Sequence, residues 1–171
     1  LQSKRAKERE FFYWDPSIPH GYEGWWGLAS LPKLNYNSLR LRELMFSGKN
    51  SVVRKWLNPP FSMDGWRIDV GNMTGIYKDQ NLNKVVSNGI RDAMDETNPD
   101  AWLVAENADH SPSDLDGFGW HGTMNYNGFA RPLVNWFNRP NHKLGNFSGL
   151  PGGNPRYDGV GTVAMMRAFE I

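Results

Sequence analysis

Two carboxylate residues close two predicted strands, and their spacing is suited to nucleophilic and acid–base catalysis. Asp69 lies near the end of the segment DGWRIDVGN (64–72), and Glu106 ends the segment AWLVAE (101–106). They are 37 positions apart, counted from 69 to 106, which is the length of one strand–loop–helix unit. Adjacent parallel strands lie about 4.8 Å apart, which fits the roughly 5 to 5.5 Å gap between the two catalytic carboxyl groups of a retaining glycosidase.

Arg67 gives the two carboxylates different predicted roles. A strand places Arg67 and Asp69 on the same face, where a guanidinium favours the ionised carboxylate and fixes its rotamer, as a nucleophile requires. Glu106 follows Val104 and Ala105 without a basic neighbour in sequence, and apolar surroundings favour the protonated form that an acid needs. Buried Arg–Asp pairs near strand ends often only neutralise each other, so a purely structural role for Arg67 and Asp69 stays open.

The elements that position these groups alternate between strand and helix patterns. Strands show period-two alternation or short apolar runs, and helices show apolar residues at helical spacing. The run over 101–106 is typical of a strand buried on both faces of a parallel sheet. The patterns predict strands over 65–70, 101–106 and 123–126, helices over 39–47, 51–57, 81–98 and 128–138, a further helix from near Gly161, a loop over 71–79, and an irregular aromatic-rich segment over 1–36.

Local signals define the ends of the first two helices. Asn37 or Ser38 can cap the first helix, which Gly48 ends, and Ser51 opens the second helical pattern. The alternation of strands and helices predicts an α/β fold with parallel strands, either an open doubly wound sheet or part of a (β/α)8 barrel. In both architectures the functional residues gather at the C-terminal ends of the strands.

Composition and motifs exclude several classes of function. The 171 residues carry a net charge of +1 without a basic run, which argues against a nucleic-acid partner, and no apolar run is long enough to span a membrane. Cysteine is absent, which excludes disulfides and thiolate metal sites and is compatible with a reducing compartment. The four histidines lack metal-ligand spacing and are read as structural or rim residues, and neither a phosphate-binding loop nor a Gly-x-Ser-x-Gly motif is present.

Several segments together resemble the alpha-amylase superfamily, glycoside hydrolase family 13, and are most similar to its neopullulanase, cyclomaltodextrinase and maltogenic amylase branch. Segment 64–72 resembles the strand-4 signature and 103–107 (LVAEN) the strand-5 signature of that family. The other similar segments, within a match that covers about residues 11 to 138, are 31–35 (LPKLN), 51–57 (SVVRKWL) and 122–126 (GTMNY).

The resemblance implies a partial (β/α)8 TIM barrel, about strands 4 to 6 with their helices, preceded by the end of the insertion after strand 3. It divides the chain into a loop region of the domain-B type (1–36) and an incomplete central part of the catalytic barrel (37–171). The family's strand-3 and strand-7 motifs are missing, so the sequence reads as a central fragment that is inactive alone.

The resemblance also implies a chemistry, a retaining double displacement on α-glucosidic linkages of maltodextrins, cyclodextrins, starch or pullulan. Asp69 is then the nucleophile and Glu106 the acid–base, while Asn72 and Met73 replace the Lys-His pair of ordinary alpha-amylases. The implied substrate-binding residues are Arg67, Asn72, Asn107, Trp120, Asn125 and Tyr126, and further sugar-stacking candidates lie between Tyr22 and Trp26.

The alternative is a non-catalytic carbohydrate-binding or transporter-associated relative in the same superfamily. We expect an oligosaccharide or polysaccharide α-glucan as the partner, no cofactor except a calcium ion in a structural role, and a cytoplasmic rather than secreted location. The cleaved linkage (α-1,4 or α-1,6), the preference for water or sugar as acceptor, and the oligomeric state are left open by the sequence.

Overall fold

The computed structural model describes residues 6–107, 115–124, 126 and 129. The chain divides into two compact units, which are Leu1–Glu106 with Ser113–Gly122 and Asn107–Pro112 with Thr123–Ile171. Most of the described residues lie in the first unit, which contains both predicted catalytic carboxylates. The predicted helices over 128–138 and from near Gly161 lie outside the described residues, apart from Phe129.

Two parallel strands form the centre of the first unit. Strand β1 (Gly65–Ile68) pairs in parallel with β4 (Trp102–Ala105), with Gly65 opposite Trp102 and Ile68 opposite Ala105. Helix α3 (Asn83–Asp95) lies between them in the chain, and β5 (Gly122–Thr123) follows in the sheet order β1-β4-β5. The predicted α/β class is therefore confirmed, although β1 ends at Ile68 and Asp69 lies just beyond the strand.

Serine caps start the first two helices as the sequence predicts. The Ser38 hydroxyl accepts a 3.2 Å hydrogen bond from the Leu41 N–H at the start of α1 (Leu39–Arg42), and the helical path continues as a π-helical turn over Glu43–Ser47. Ser51 accepts from the Arg54 N–H at 3.5 Å at the start of α2 (Val52–Leu57). A capping side chain satisfies backbone donors that the first turn of a helix leaves unpaired, so the sequence indicates where α1 and α2 begin.

The segment between β1 and α3 contains more regular structure than the predicted loop. A 3₁₀ turn over Gly71–Met73 is followed by a small antiparallel ladder of β2 (Ile76–Tyr77) and β3 (Gln80–Asn81). Helix α3 consequently begins at Asn83 rather than 81, and it ends at Asp95 rather than 98.

The N-terminal segment is largely irregular, as predicted, but it is folded back on itself. It contains 3₁₀ turns at Lys7–Phe11 and Trp25–Gly27. Isolated antiparallel bridges pair Phe12 with Leu34, Trp14 with Tyr22, and Gly24 with Pro32.

One face of β4 packs into the core. Leu103 and Ala105 are buried with the apolar face of α3, whereas Trp102 is 64% exposed. The prediction that this strand is buried on both faces is therefore wrong, because alternate side chains of a strand point to opposite faces and only one face joins the core cluster. The core members contributed by α3 are Val86, Ile90, Ala93 and Met94.

Candidate active site

One guanidinium group joins the two predicted catalytic carboxylates. Nη1 of Arg67 forms an ion pair with Oδ1 of Asp69, and Nη2 of the same residue lies 2.8 Å from Oε1 of Glu106. Arg67 lies on β1, and Glu106 directly follows the neighbouring parallel strand β4. The parallel pairing therefore brings Asp69 and Glu106 to the same end of the sheet, where a single cation contacts both.

The structure corrects the expected surroundings of Glu106. Its sequence neighbours are apolar, which predicted a carboxyl group without a basic partner, but Arg67 from β1 is that partner. The contact crosses two strands and depends on their register, in which Arg67 lies opposite Val104. Arg67 is therefore shared between the two carboxylates and is not a partner of Asp69 alone.

The second oxygen of Glu106 is also occupied. The backbone N–H of Val70 donates a 2.9 Å hydrogen bond to Oε2 of Glu106, and the N–H of Glu106 itself donates to the Ile68 carbonyl at 2.9 Å. The side chain of Glu106 is thus fixed by two donors, both from β1 or the turn that follows it.

Val70 adopts an unusual backbone conformation at this position. Its φ of 47° and ψ of 44° lie in the left-handed region, which costs a branched L-residue on the order of 1–2 kcal/mol. Two donors hold its carbonyl, the Met73 N–H at 2.9 Å and the Thr74 hydroxyl at 3.2 Å. Strained residues of this kind persist only where their surroundings fix them, and they concentrate at functional sites.

The three charged side chains differ in their access to solvent. The side chain of Asp69 is 78% exposed, that of Arg67 is 43% exposed and that of Glu106 is 26% exposed. Asp69 is therefore open to an incoming reactant while still held by the guanidinium. The arrangement can supply an ionised nucleophile beside a more enclosed carboxyl group, which is the division of roles that a double displacement requires.

Two of the predicted substrate-binding residues are buried. Trp120 is 3% exposed and belongs to the core cluster, so its indole packs within the protein and offers no open face to a sugar. Asn107 is only 2% exposed. The contacts of Trp120 and Asn107 with substrate stay predictions, and neither side chain is open to solvent in this structure.

The remaining predicted contacts stay predictions. Asn72 is half-buried in the 3₁₀ turn after Asp69, and Asn125 lies outside the described residues. The hydroxyl of Tyr126 contacts Sδ of Met124 at 3.5 Å. In the aromatic segment, Trp26 is 58% exposed and its ring contacts that of Trp25 edge-on; its stacking on a sugar stays a prediction.

His121 has a structural role within the sheet, as the sequence predicts for the histidines. The Leu103 N–H donates a 2.8 Å hydrogen bond to Nδ1 of His121, and the His121 N–H donates to the Leu103 carbonyl at 2.8 Å. Burial lowers the pKa of His121, and the nearby Arg91 lowers it further, while Asp95 opposes them. An unprotonated Nδ1 is required for this hydrogen bond.

The described part of the chain contains neither a cluster of metal-binding side chains nor a helix that could span a membrane. Among residues 6–107, 115–124, 126 and 129, no group of three or more His, Asp or Glu side chains is placed to hold a metal ion. In the same residues, no helix has the length and apolar character that crossing a membrane requires. The structural calcium ion stays a prediction.

The names of the known proteins that are similar to this chain describe enzymes that act on α-glucans. Over 124 residues, 66% of its length, the chain is 33% identical to an amylopullulanase from Thermoanaerobacter thermohydrosulfuricus. Over 122 residues, 71% of its length, it is 25% identical to an intracellular maltogenic amylase from Bacillus subtilis strain 168. The chain spans 8% and 18% of the length of these two relatives. No family model matches it.

The fold of this chain is similar to that of a solved structure of a related enzyme. The type III pullulan hydrolase from Thermococcus kodakarensis matches 78% of this chain with a TM-score of 0.60 and 27% identity, and the match covers 22% of that protein's chain. The relatives and this structure confirm the predicted resemblance to the alpha-amylase superfamily, in its neopullulanase, cyclomaltodextrinase and maltogenic amylase branch.

Proposed function

We propose that this chain carries the catalytic pair of a retaining glycosidase or transglycosidase that acts on α-glucosidic linkages. The observation that carries the proposal is the guanidinium of Arg67, which contacts Asp69 on one side and Glu106 on the other. This chemistry uses a pair of nearby carboxyl groups, and here the two groups follow neighbouring parallel strands. The names of the relatives, amylopullulanase and maltogenic amylase, support an α-glucan as the substrate.

The reaction proceeds in two displacements. The exposed carboxylate of Asp69 attacks the anomeric carbon while Glu106 donates its proton to the departing glycosidic oxygen, so the C–O bond to the leaving sugar breaks as the bond to Asp69 forms. Glu106, now ionised, removes a proton from water or from a sugar hydroxyl, whose oxygen then displaces Asp69 from the anomeric carbon. The configuration at that carbon is retained because it is inverted twice.

The proposed scaffold is a (β/α)8 barrel of which this chain supplies the central part. In this proposal β1, β4 and β5 are consecutive barrel strands, residues 1–36 form the end of an inserted loop region, and 37–171 belong to the barrel. The parallel pairing of β1 with β4 across helix α3 supports the proposal, since a crossover of this kind is the repeating unit of such barrels. A cytoplasmic location is compatible with the relative named an intracellular maltogenic amylase.

The test replaces each carboxylate by its amide in the full-length protein. Asp69→Asn and Glu106→Gln should each lower the release of reducing sugar from maltodextrin, pullulan and cyclodextrin by about 10²- to 10⁴-fold, because each variant lacks a group that acts in the transition state. Asp64→Asn is the matched control, since Asp64 is exposed in the same segment and, among the described residues, hydrogen-bonds through its backbone carbonyl, which accepts from the Trp102 N–H.

Three outcomes would contradict the proposal. The first is saccharide binding without turnover by the wild-type protein, which is the behaviour of a non-catalytic relative. The second is turnover in Asp69→Asn equal to that in the control. The third concerns stereochemistry, since a β-anomer as the initial product of α-glucan cleavage, detected by proton NMR, would indicate inversion rather than retention.

A further inference from the structure

The turn that follows Asp69 is anchored by a side chain from helix α3. The amide nitrogen of Asn83 donates to the carbonyl of Gly71 at 2.7 Å and to the carbonyl of Thr74 at 2.9 Å. Asn83 is the first residue of α3 and is separated from Asp69 by the β2–β3 ladder. One amide group therefore joins the beginning and the end of the segment 71–74.

The same turn reaches Glu106 through its backbone. The N–H of Val70 is one of the two donors that hold the Glu106 carboxylate, and Val70 makes this contact in a left-handed backbone conformation. The Thr74 hydroxyl contributes by donating to the Val70 carbonyl at 3.2 Å. The turn also packs directly on the strand that precedes Glu106, since a Cβ on Gly71 would lie 2.7 Å from Cβ of Ala105.

We infer that Asn83 and Thr74 are positioning residues for the pair Asp69 and Glu106, an inference that rests on the proposed function. Neither residue contacts a carboxylate in the contacts described above. Asn83 fixes the carbonyls of Gly71 and Thr74, and the Thr74 hydroxyl fixes the carbonyl of Val70. The shape of this turn determines where the Val70 N–H is placed. When the anchors are removed, Val70 can relax to the right-handed or extended backbone that a branched residue prefers, and the peptide group between Asp69 and Val70, whose N–H holds Glu106, then shifts with the turn.

The decisive variant is Asn83→Asp, which keeps the shape of the side chain but replaces both N–H donors by an oxygen. The expected result is a fall in kcat of about 10- to 100-fold, because small displacements of catalytic groups have effects of this size, with a smaller change in KM. The matched control is Asn81→Asp, which introduces the same charge two residues away. Oδ1 of Asn81 accepts the Asn83 N–H at 2.9 Å, and a carboxylate accepts that bond equally well, so the control should stay within about twofold of wild type.

A second pair of variants serves if Asn83→Asp does not fold. Thr74→Val removes the hydroxyl and keeps the branched shape, whereas Thr74→Ser keeps the hydroxyl. The loss of kcat should be larger in Thr74→Val than in Thr74→Ser. All values are measured per folded molecule, with the folded fraction taken from circular dichroism well below the thermal midpoint, since a purely structural role would lower the midpoint without changing kcat of the folded enzyme.

The outcomes separate this inference from the proposed function. Wild-type turnover with an unchanged kcat in Asn83→Asp, or with equal kcat in the two Thr74 variants, would overturn the positioning role and leave the proposed function in place. A wild-type protein without turnover on any α-glucan would overturn both. Reduced kcat in Asn83→Asp beside an unaffected Asn81→Asp supports the inference.

Discussion

Nη2 of Arg67 lies 2.8 Å from Oε1 of Glu106, and this contact joins two parallel strands at the ends where the candidate chemistry takes place. Sequence spacing assigns Arg67 to Asp69 alone, but the structure shows that Arg67 contacts both Asp69 and Glu106. The guanidinium has two separate terminal nitrogens in a rigid plane, which allows it to contact both groups at once. The predictions below follow from this geometry and from the packing that supports it.

Arg67→Lys should lower kcat by about 10²-fold even though the charge is kept. A lysine ammonium is a compact point charge and cannot reproduce the forked contact with Asp69 and Glu106, and misplacement of catalytic groups has an effect of this size. Steady-state kinetics on a maltodextrin measures the change. Arg40→Lys is the control, since Arg40 forms an exposed ion pair with Glu10 far along the chain from the site; equal activity of the two variants would show that a shared positive charge is sufficient.

Gly71→Ala should destabilise the protein by about 1–3 kcal/mol, as overpacking in a filled interior does, and lower its turnover. The added Cβ would lie 2.7 Å from Cβ of Ala105 and 3.1 Å from its Cα, so strand or turn must move. Gly122→Ala is the matched control because a Cβ at that position meets no atom within 4 Å. Calorimetric midpoints compare the two variants, and similar midpoints would contradict the close packing of Gly71 on β4.

Ser51→Ala should lower stability by about 0.5–2 kcal/mol through loss of a helix cap. The Ser51 hydroxyl is buried, accepts from the Arg54 N–H and donates to the Phe46 carbonyl at 3.0 Å, so both partners lose a hydrogen bond. Ser47→Ala, at an exposed position in the preceding turn, provides the comparison. A thermal melt of each variant checks the prediction, and an equal effect of the two substitutions would contradict it.

The stability of the protein should fall on acidification in a way that depends on His121. Its pKa is lowered from the usual 6.5 in the folded state, mainly by burial. The unfolded chain therefore takes up a proton first as the pH falls below about 6.5, and stability is lost from there down through the folded pKa, whereas it is constant above this range. Thermal midpoints between about pH 8 and pH 5 measure the effect.

His121→Asn provides the control for this pH dependence. An asparagine carbonyl oxygen can accept the Leu103 N–H in place of Nδ1 but does not titrate. The fall in midpoint should therefore be smaller in the variant than in the wild type. An identical pH profile in both proteins would assign the acid sensitivity to other groups.

The parts of the fold that the sequence predicts well are those governed by short-range chemistry. Ser38 and Ser51 mark helix starts because a hydroxyl caps the residues that immediately follow it. The alternation around Arg67 predicts β1, and the parallel partner β4 follows from the intervening helix. These features require no knowledge of distant contacts.

The parts that the sequence does not predict depend on residues far apart in the chain. The left-handed backbone of Val70 is opposed by its own side chain and is held by Thr74 and by Glu106 from the next strand. The shared role of Arg67 depends on strand register, and the burial of Trp120 depends on the core that forms around it. The position of Asn83 at the start of a helix suggests that its side chain bonds to nearby backbone groups. Its two carbonyl partners, however, lie in a turn whose shape the sequence does not specify.

The charges of the Arg67 trio also bear on how the site discriminates among molecules. With both carboxyl groups ionised, one guanidinium is outnumbered and the cluster carries a net charge of −1; once Glu106 holds a proton, the cluster is neutral. The cluster with a protonated Glu106 thus matches an uncharged sugar, whereas the cluster with both carboxyl groups ionised attracts cations. Protonated amines shaped like a sugar should for this reason compete with substrate more strongly than uncharged analogues of the same shape.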